Sequence, residues 1–291
     1  MKTKDLLYRA ALLIATVIWG SAFVVMKNTV DDVPTAWLLV ARFWGATVVL
    51  SCVFFKKLKK INFDYIKKGA VVGLMLFLAY YVQTVGLIYT TPGKNAFLTA
   101  VYCVLVPFFG WAVTKDRPDR NNIIAAFACI IGIGFVSLTE QLTMGIGDLL
   151  TLLCGVFYAV HILFLGSFTK ERDPILLTII QFFFVGCFSF VTALATEAPP
   201  AMPLPASTWL GLGYLCVFST AIALLLQTVG QKGTPAAAAS ILLSLEAVFG
   251  VLFSVIFYHE PVTARMYIGF ALIFAAVLIS ELKPLKKKSA A

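Results

Sequence analysis

The chain has 291 residues, 60% of them hydrophobic and 13% charged, with 23 Lys and Arg against 14 Asp and Glu, and its mean hydropathy is +0.94. Soluble domains carry about 25% charged residues, so this composition cannot clothe a water-soluble surface, and it excludes disordered, collagenous and disulfide-stapled architectures. A bilayer is the solvent that remains, and ten helices of about 20 apolar residues each would leave only short connections and tails.

Apolar runs bounded by charges, Pro or Gly lie near 6–27, 34–55, 68–90, 94–113, 121–139, 147–168, 174–195, 208–229, 235–257 and 264–282. The first follows Lys2, Lys4 and Arg9 as a signal peptide would. It is as long as a spanning helix and nine more follow, so it reads as retained. With the N-terminus inside, nineteen of the 23 basic residues fall on cytoplasmic segments. Asp31, Asp32, Glu140, Glu197 and Glu260 fall outside. The positive-inside rule then puts both termini in the cytoplasm of a multi-pass cell-membrane protein. The net charge of +9 is spread in short loop clusters, which argues for topology and against nucleic-acid binding. The lysines between 56 and 68 set topology and, secondarily, attract anionic lipid. Cys52, Cys103, Cys129, Cys154, Cys187 and Cys216 all sit in apolar runs without a CxxC pair. They read as small buried hydrophobes, with no metal site or cofactor implied.

The two halves share landmarks. Gln83-Thr84-Val85-Gly86 in the third span matches Gln227-Thr228-Val229-Gly230 in the eighth, and Thr91-Pro92 matches Thr234-Pro235. Arg117-Pro118 and Glu260-Pro261 each precede the last span of their half, and Ser137 and Ser280 close those spans 143 residues apart. This predicts an internal duplication: residues 1–140 with spans one to five, and 141–291 with spans six to ten and a basic tail. Five spans is an odd number, so the second copy enters from the opposite face. The expected fold is all-α and integral to the membrane, ten helices in two inverted five-helix repeats around a central cavity.

Further residues carry a family likeness. They are Trp19-Gly20-Ser21-Ala22-Phe23, Ala41-Arg42-Phe43, the segment Thr91-Pro92-Gly93-Lys94-Asn95-Ala96-Phe97-Leu98-Thr99 leading into Val106-Pro107, then Leu245-Glu246 and Glu260-Pro261. In that order across ten spans, the chain resembles the EamA family of the drug/metabolite transporter superfamily over essentially its whole length. The resemblance implies ten helices in two inverted repeats around a central cavity, and transport of small metabolites, often export of amino acids or related compounds. The chain departs from the family pattern at Ala247, where the family often has Pro, and at Lys115-Asp116-Arg117. The second half also carries Gln181 where the first has Arg42.

A charge at membrane depth costs about 2.5–3.5 kcal/mol on insertion scales, so it faces the bundle interior. Arg42, roughly 12 Å deep, suits either a substrate carboxylate held by two parallel hydrogen bonds or a structural anchor. Glu246, near the middle of the ninth span, suits proton coupling, a fixed partnership with Arg42 or Lys27, or a neutral hydrogen-bonding role. His161 either contacts substrate or protons, or bonds a neighbouring carbonyl, and Tyr158 precedes it by one turn. Asn95, Thr99 and Tyr102 form a polar stripe on the fourth span. Tyr80 and Gln83 share a face of the third span, Thr220 and Gln227 a face of the eighth, and Trp19 lies at the depth of Arg42. These groups line one cavity, or the amides and hydroxyls among them serve interhelical hydrogen bonds worth about 0.6 kcal/mol each. Lys27 is expected to snorkel to the outer interface. Gly132, Gly134, Gly211 and Gly213 are expected to permit close helix approach.

The expected function is a secondary transporter, exporting amino acids or related metabolites by alternating access, with Thr91-Pro92 and Thr234-Pro235 near the outer and inner gates. The substrate-binding candidates are Trp19, Arg42, Tyr80, Gln83, Asn95, Thr99, Tyr102, Tyr158, His161, Gln227 and Glu246. No GxxxxGK[ST] occurs in the sequence, so energy would come from an ion gradient, protons among the options, or from the substrate's own gradient. One chain holds both repeats and suffices as a monomer. The alternatives are a membrane scaffold or receptor without flux, and an intramembrane enzyme, for which clustered His, Asp or Cys at metal or nucleophile spacing is lacking.

Overall fold

The computed structural model describes residues 3–114, 120–137 and 144–281. Lys115, Asp116, Arg117, Pro118 and Glu140 lie outside these, as do the terminal lysines Lys2, Lys283, Lys286, Lys287 and Lys288. The described chain is helical: α1 Thr3–Thr29, α2 Thr35–Val53, a short α3 Phe55–Leu58, α4 Phe63–Ile88, α5 Pro92–Thr99, α6 Tyr102–Thr114 and α7 Arg120–Ser137. The second half runs α8 Ile146–Phe168, α9 Pro174–Thr196, α10 Ala206–Tyr214, a π-helical segment Leu215–Ile222, α11 Ala223–Gly233, α12 Ala236–Ser244, α13 Glu246–Phe257 and α14 Ala264–Glu281.

Among the described residues, eight stretches are long and apolar enough to cross a bilayer, at the first four and the sixth to ninth expected positions. At the fifth and tenth, α7 and α14 are apolar over the shorter Ile123–Val136 and Ala264–Ala276. Helix starts follow local chemistry. Asn62 accepts from the Tyr65 N–H ahead of α4, Thr91 precedes Pro92 at the start of α5, and Asp173 precedes Pro174 at the start of α9.

Three expected spans are not continuous. The fourth breaks at Ala100–Val101 between α5 and α6, and the ninth at Leu245 between α12 and α13. At both breaks the backbone tightens to i→i−3 hydrogen bonds, Val101 to Leu98 and Leu245 to Leu242. Glu246 is therefore the first residue of α13 and not the middle of a helix. The eighth span widens to the π-helix in its centre.

The long helices pair closely: α2 with α9, α4 with α8 and α9, α1 with α11 and α13, α5 with α13, α6 with α8, and α7 with α14. In the last pair a Cβ on Gly132 would lie 2.9 Å from the Gly269 carbonyl, so the backbones meet directly. Gly211 is similarly tight against Thr29, but Gly213 faces open space and serves no helix contact. Cys52 is exposed, contrary to the expectation of burial, while Cys103, Cys129 and Cys154 are buried.

The two ends of the bundle differ in charge. One bears Asp31, Asp32, Glu197 and Glu260, and is called the acidic end below. The other bears Lys56, Lys57, Lys170, Arg172 and Lys232, and is called the basic end.

Candidate functional site

The broken helices converge on a void of about 30 Å³ in the middle of the bundle. Trp19, Ala22, Phe23 and Met26 reach it from α1, Arg42 from α2, and Tyr80 and Gln83 from α4. Tyr102, Tyr158, Ile162, Ser219, Gln227, Leu243 and Glu246 complete the wall. Tyr102 and Glu246 are the opening residues of α6 and α13, so the helix that resumes after each break begins at the void. Helix N-termini carry partial positive charge and favour a carboxylate there.

Arg42 is 1% exposed. Its Nε donates to Thr220 Oγ1 at 3.1 Å, Nη2 to Ser219 Oγ at 3.1 Å and Nη1 to Met26 Sδ at 3.0 Å. The guanidinium also lies over the Tyr80 ring, 5.0 Å from its centroid, a favourable cation–π placement. Among the described residues no carboxylate comes within ion-pair distance of Arg42, and no cation within that distance of Glu246. The expected pairing of Glu246 with Arg42 or Lys27 is therefore not present.

Of the sequence candidates, Trp19, Arg42, Tyr80, Gln83, Tyr102, Tyr158, Gln227 and Glu246 border the void. Asn95, Thr99 and His161 do not. Gln83 Nε2 donates to Thr99 Oγ1 at 3.0 Å, Tyr158 Oη donates to Gln83 Oε1 at 2.9 Å, and Asn95 Nδ2 donates to Thr151 Oγ1 at 2.8 Å and to the Gln83 carbonyl at 3.3 Å. Asn95 and Thr99 thus stand behind Gln83 and fix it. His161 Nε2 meets Gln181 Oε1 at 3.1 Å, not a backbone carbonyl. Among the described residues Gln227 Oε1 is buried on the void without a hydrogen-bond partner, whereas the Tyr102 hydroxyl lies against the Glu246 carboxyl. An unpaired buried polar group costs about 1–3 kcal/mol, which a bound polar ligand would relieve.

Met26 and Ser219 line the void without having been among the sequence candidates. A methionine in an apolar run carries no local signal. Ser219 beside Thr220 in the eighth span was the available hint.

Above and below this site the two ends differ. At the acidic end the Glu260 carboxylate accepts from the Thr91 hydroxyl, the Gly93 N–H at 2.9 Å and the Ser254 hydroxyl. It caps α5 from the far half of the chain, and a Cβ on Gly93 would lie 2.6 Å from Glu260 Oε2. Lys27 reaches the acidic end, where it was expected to snorkel, and is held there by backbone. Its Nζ donates to the carbonyls of Leu87, Ile88 and Thr90 at 2.7, 2.9 and 3.1 Å, satisfying the C-terminus of α4. Glu197 accepts from the Ala36 N–H and caps α2, whose Pro34 offers no side-chain cap.

At the basic end, Lys57 and Asp173 meet at 2.6 Å, as do Arg172 and Asp64. Burial alone would raise the Asp173 carboxyl, but the Lys57 hydrogen bond and charge and the Ile175 and Leu176 N–H groups outweigh it and hold it below the usual carboxylate value. A groove of about 810 Å³ opens there between α6, α8, α11 and α12, bordered by Phe109, Leu163, Phe164, Phe168, Lys232 and Pro235.

Comparison with known proteins agrees with this architecture. The model of the EamA-like transporter family matches residues 7–138 and again 145–282. A protein of Archaeoglobus fulgidus described as an uncharacterized transporter is 33% identical over 272 residues, covering 94% of this chain and 85% of its own. The uncharacterized transporter YyaM of Bacillus subtilis is 24% identical over 276 residues, covering 90% of this chain and 89% of its own. A crystal structure at 17% identity superposes with a TM-score of 0.69 over 94% of this chain and 98% of that one, a likeness of fold. With two matches that together span nearly all of a multi-pass helical chain, this protein belongs to the EamA-like transporter family and is a membrane transporter.

Proposed function

We propose that the protein is a secondary exporter of small zwitterionic metabolites, of the amino-acid class, and that the midplane void is its substrate site. The observation that carries this reading is the pair Arg42 and Glu246. A permanent cation and an ionisable carboxyl border one void in the apolar core, and neither has a counter-ion within the described chain. Uncompensated charge at membrane depth is expensive and functional by default. A molecule bearing one carboxylate and one ammonium compensates both, and the rings of Trp19, Phe23, Tyr80, Tyr102 and Tyr158 suit its apolar remainder. Glu246 is the group we assign to any proton coupling.

Residues 1–140 and 141–291 are read as two inverted repeats of five spans, rocking against each other in the plasma membrane, with both termini cytoplasmic. The helix contacts support this. Exchanging each helix for its counterpart five spans on turns the α4–α8 contact into α11–α1, and α6–α8 into α13–α1. The α2–α9, α5–α13 and α7–α14 contacts map onto themselves or their close equivalents. The same exchange sets the groove between α6, α8, α11 and α12 against the acidic end of α13, α1, α4 and α5. There Glu260 and Lys27 close the gap. One end sealed and its counterpart parted is the asymmetry that alternating access needs.

Proteoliposome flux tests the reading. Pooled radiolabelled amino acids should enter saturably, one unlabelled compound should abolish the uptake, and Arg42→Lys should lose it, because an ammonium does not reproduce the planar guanidinium fork. Saturable flux that is intact in both Arg42→Lys and Glu246→Gln would refute the zwitterion assignment. Absence of flux for every amino-acid pool would refute the amino-acid assignment.

A further inference from the structure

We infer that the π-helical turn of the eighth span, through Ser219 and Thr220, is the positioning device that presents Arg42 uncompensated to the void and makes that corner a subsite for a carboxylate. The inference rests on the midplane-site reading above, and its test is a binding measurement independent of flux.

Arg42 has five N–H donors, and three are taken by Thr220, Ser219 and Met26. These three leave one N–H on each terminal nitrogen, within reach of the Tyr80 hydroxyl and of a carboxylate bound in the void. All three acceptors are uncharged. They hold the side chain in place without cancelling its charge, which a structural carboxylate would do.

Ser219 and Thr220, adjacent in the π segment, both reach this guanidinium, and the π register sets how Thr220 is oriented. The Thr220 hydroxyl donates to the Leu215 carbonyl, five residues back, at 2.7 Å. With its proton committed there, its oxygen is oriented to accept from Arg42. The Ser219 carbonyl accepts from Trp19 Nε1 at 3.0 Å, so the same turn fixes an indole wall of the void. α2 is fitted to this turn: a Cβ on Gly45 would lie 2.6 Å from Cys216 Sγ.

The pseudo-equivalent half sharpens the case. There α4 is an uninterrupted α-helix from Phe63 to Ile88, and the counterpart of Arg42 is Gln181, which bonds His161. The cation and the π turn occur together, in one half. Mid-helix π segments are rare and gather at functional sites.

The test uses the full-length chain in detergent and three probes that share an isobutyl group: 4-methylpentanoate, L-leucine and 3-methylbutylamine. Ligand-dependent thermal stabilisation reports their apparent affinities. Thr220→Val and Ser219→Ala should each weaken both carboxylate probes about tenfold, as expected for a lost hydrogen bond to a charged group. Neither should alter the amine. Thr220→Ser, which keeps the hydroxyl, should restore wild-type affinities, a rescue that a purely structural role would not show. Equal weakening of all three probes, unchanged affinities in both variants, or no carboxylate binding by the wild type would overturn the inference. Should Thr220→Val elute as aggregate, the Ser219→Ala and Thr220→Ser pair decides alone. A carboxylate subsite confirmed without proteoliposome flux would leave this inference standing and remove the amino-acid export reading.

Discussion

Replacing Glu260 with Ala should tilt the protein towards opening at its acidic end. The carboxylate serves three donors, the Thr91 and Ser254 hydroxyls and the Gly93 N–H, and is 6% exposed. Loss of a helix cap costs about 0.5–2 kcal/mol, and a buried donor left unmatched about 1–3 kcal/mol. Water at the rim recovers part of this for the hydroxyls, so a net penalty of about 2–3 kcal/mol on the closed arrangement is expected. An open arrangement, in which the carboxylate and its donors are already hydrated, bears little of it. The ratio of open to closed should then rise roughly 30- to 150-fold. A single cysteine at Gln83, in a background with the six native cysteines replaced, reports this through an impermeant maleimide applied to oriented vesicles. Labelling from the face that carries Glu260 should accelerate, Glu260→Gln should fall in between, and labelling from the other face should slow or stay constant. An unchanged rate in a folded Glu260→Ala protein would refute the latch. Equal acceleration from both faces would also refute it, since that reports a loosened bundle.

Two further substitutions probe the scaffold. Gly186→Ala places a Cβ 2.0 Å from Trp44 Cδ1, and overpacking of this kind costs about 1–3 kcal/mol. Its thermal midpoint in detergent should drop, and an unchanged midpoint would show that the indole yields freely. Asp173 both caps α9 and pairs with Lys57. Asp173→Ala should cost about 1 kcal/mol through the lost cap, whereas Asp173→Asn retains a capping oxygen and loses only the charge. Because the folded carboxyl is held below its usual value, the charge contribution is present at neutral pH and fades as pH falls through that lowered value. Wild type and Asp173→Asn should therefore differ at pH 7 and converge in acid, and a gap that persisted there would contradict the ion-pair account.

What was legible in the sequence follows from how strongly a bilayer constrains a chain. Apolar runs between charged loops marked the helices, because backbone groups in lipid must bond within a segment. Arg42 and Glu246 were readable as interior groups because the cost of exposing charge to lipid leaves them few other places. The breaks were not readable. Ala100–Val101 and Leu245 contain neither Pro nor Gly, and nothing local distinguishes them from helix interior. The π turn at Leu215–Ile222 is equally silent, since its stabilising contacts come from Arg42 and Trp19 on other helices. Lys27 and Glu260 were placed at the outer end, but what they hold there was not readable, for the same reason. Their partners lie about 60 and 170 residues away, and a long-range hydrogen bond leaves no periodicity behind.

The size of the central void has a consequence for how binding will look in the test tube. About 30 Å³ holds a water or two, far less than any amino acid. The arrangement described here is one that a ligand must wait out, entering only during excursions to a wider form. Apparent affinity is then the intrinsic affinity multiplied by the fraction of time the wider form exists. A form populated about 1% of the time would make a micromolar site read as roughly hundred-fold weaker. Substitutions far from the void that widen it could thus tighten binding without touching the ligand, and weak binding by the resting protein would be a property of its conformational equilibrium, with the chemistry of Arg42 and Glu246 unchanged.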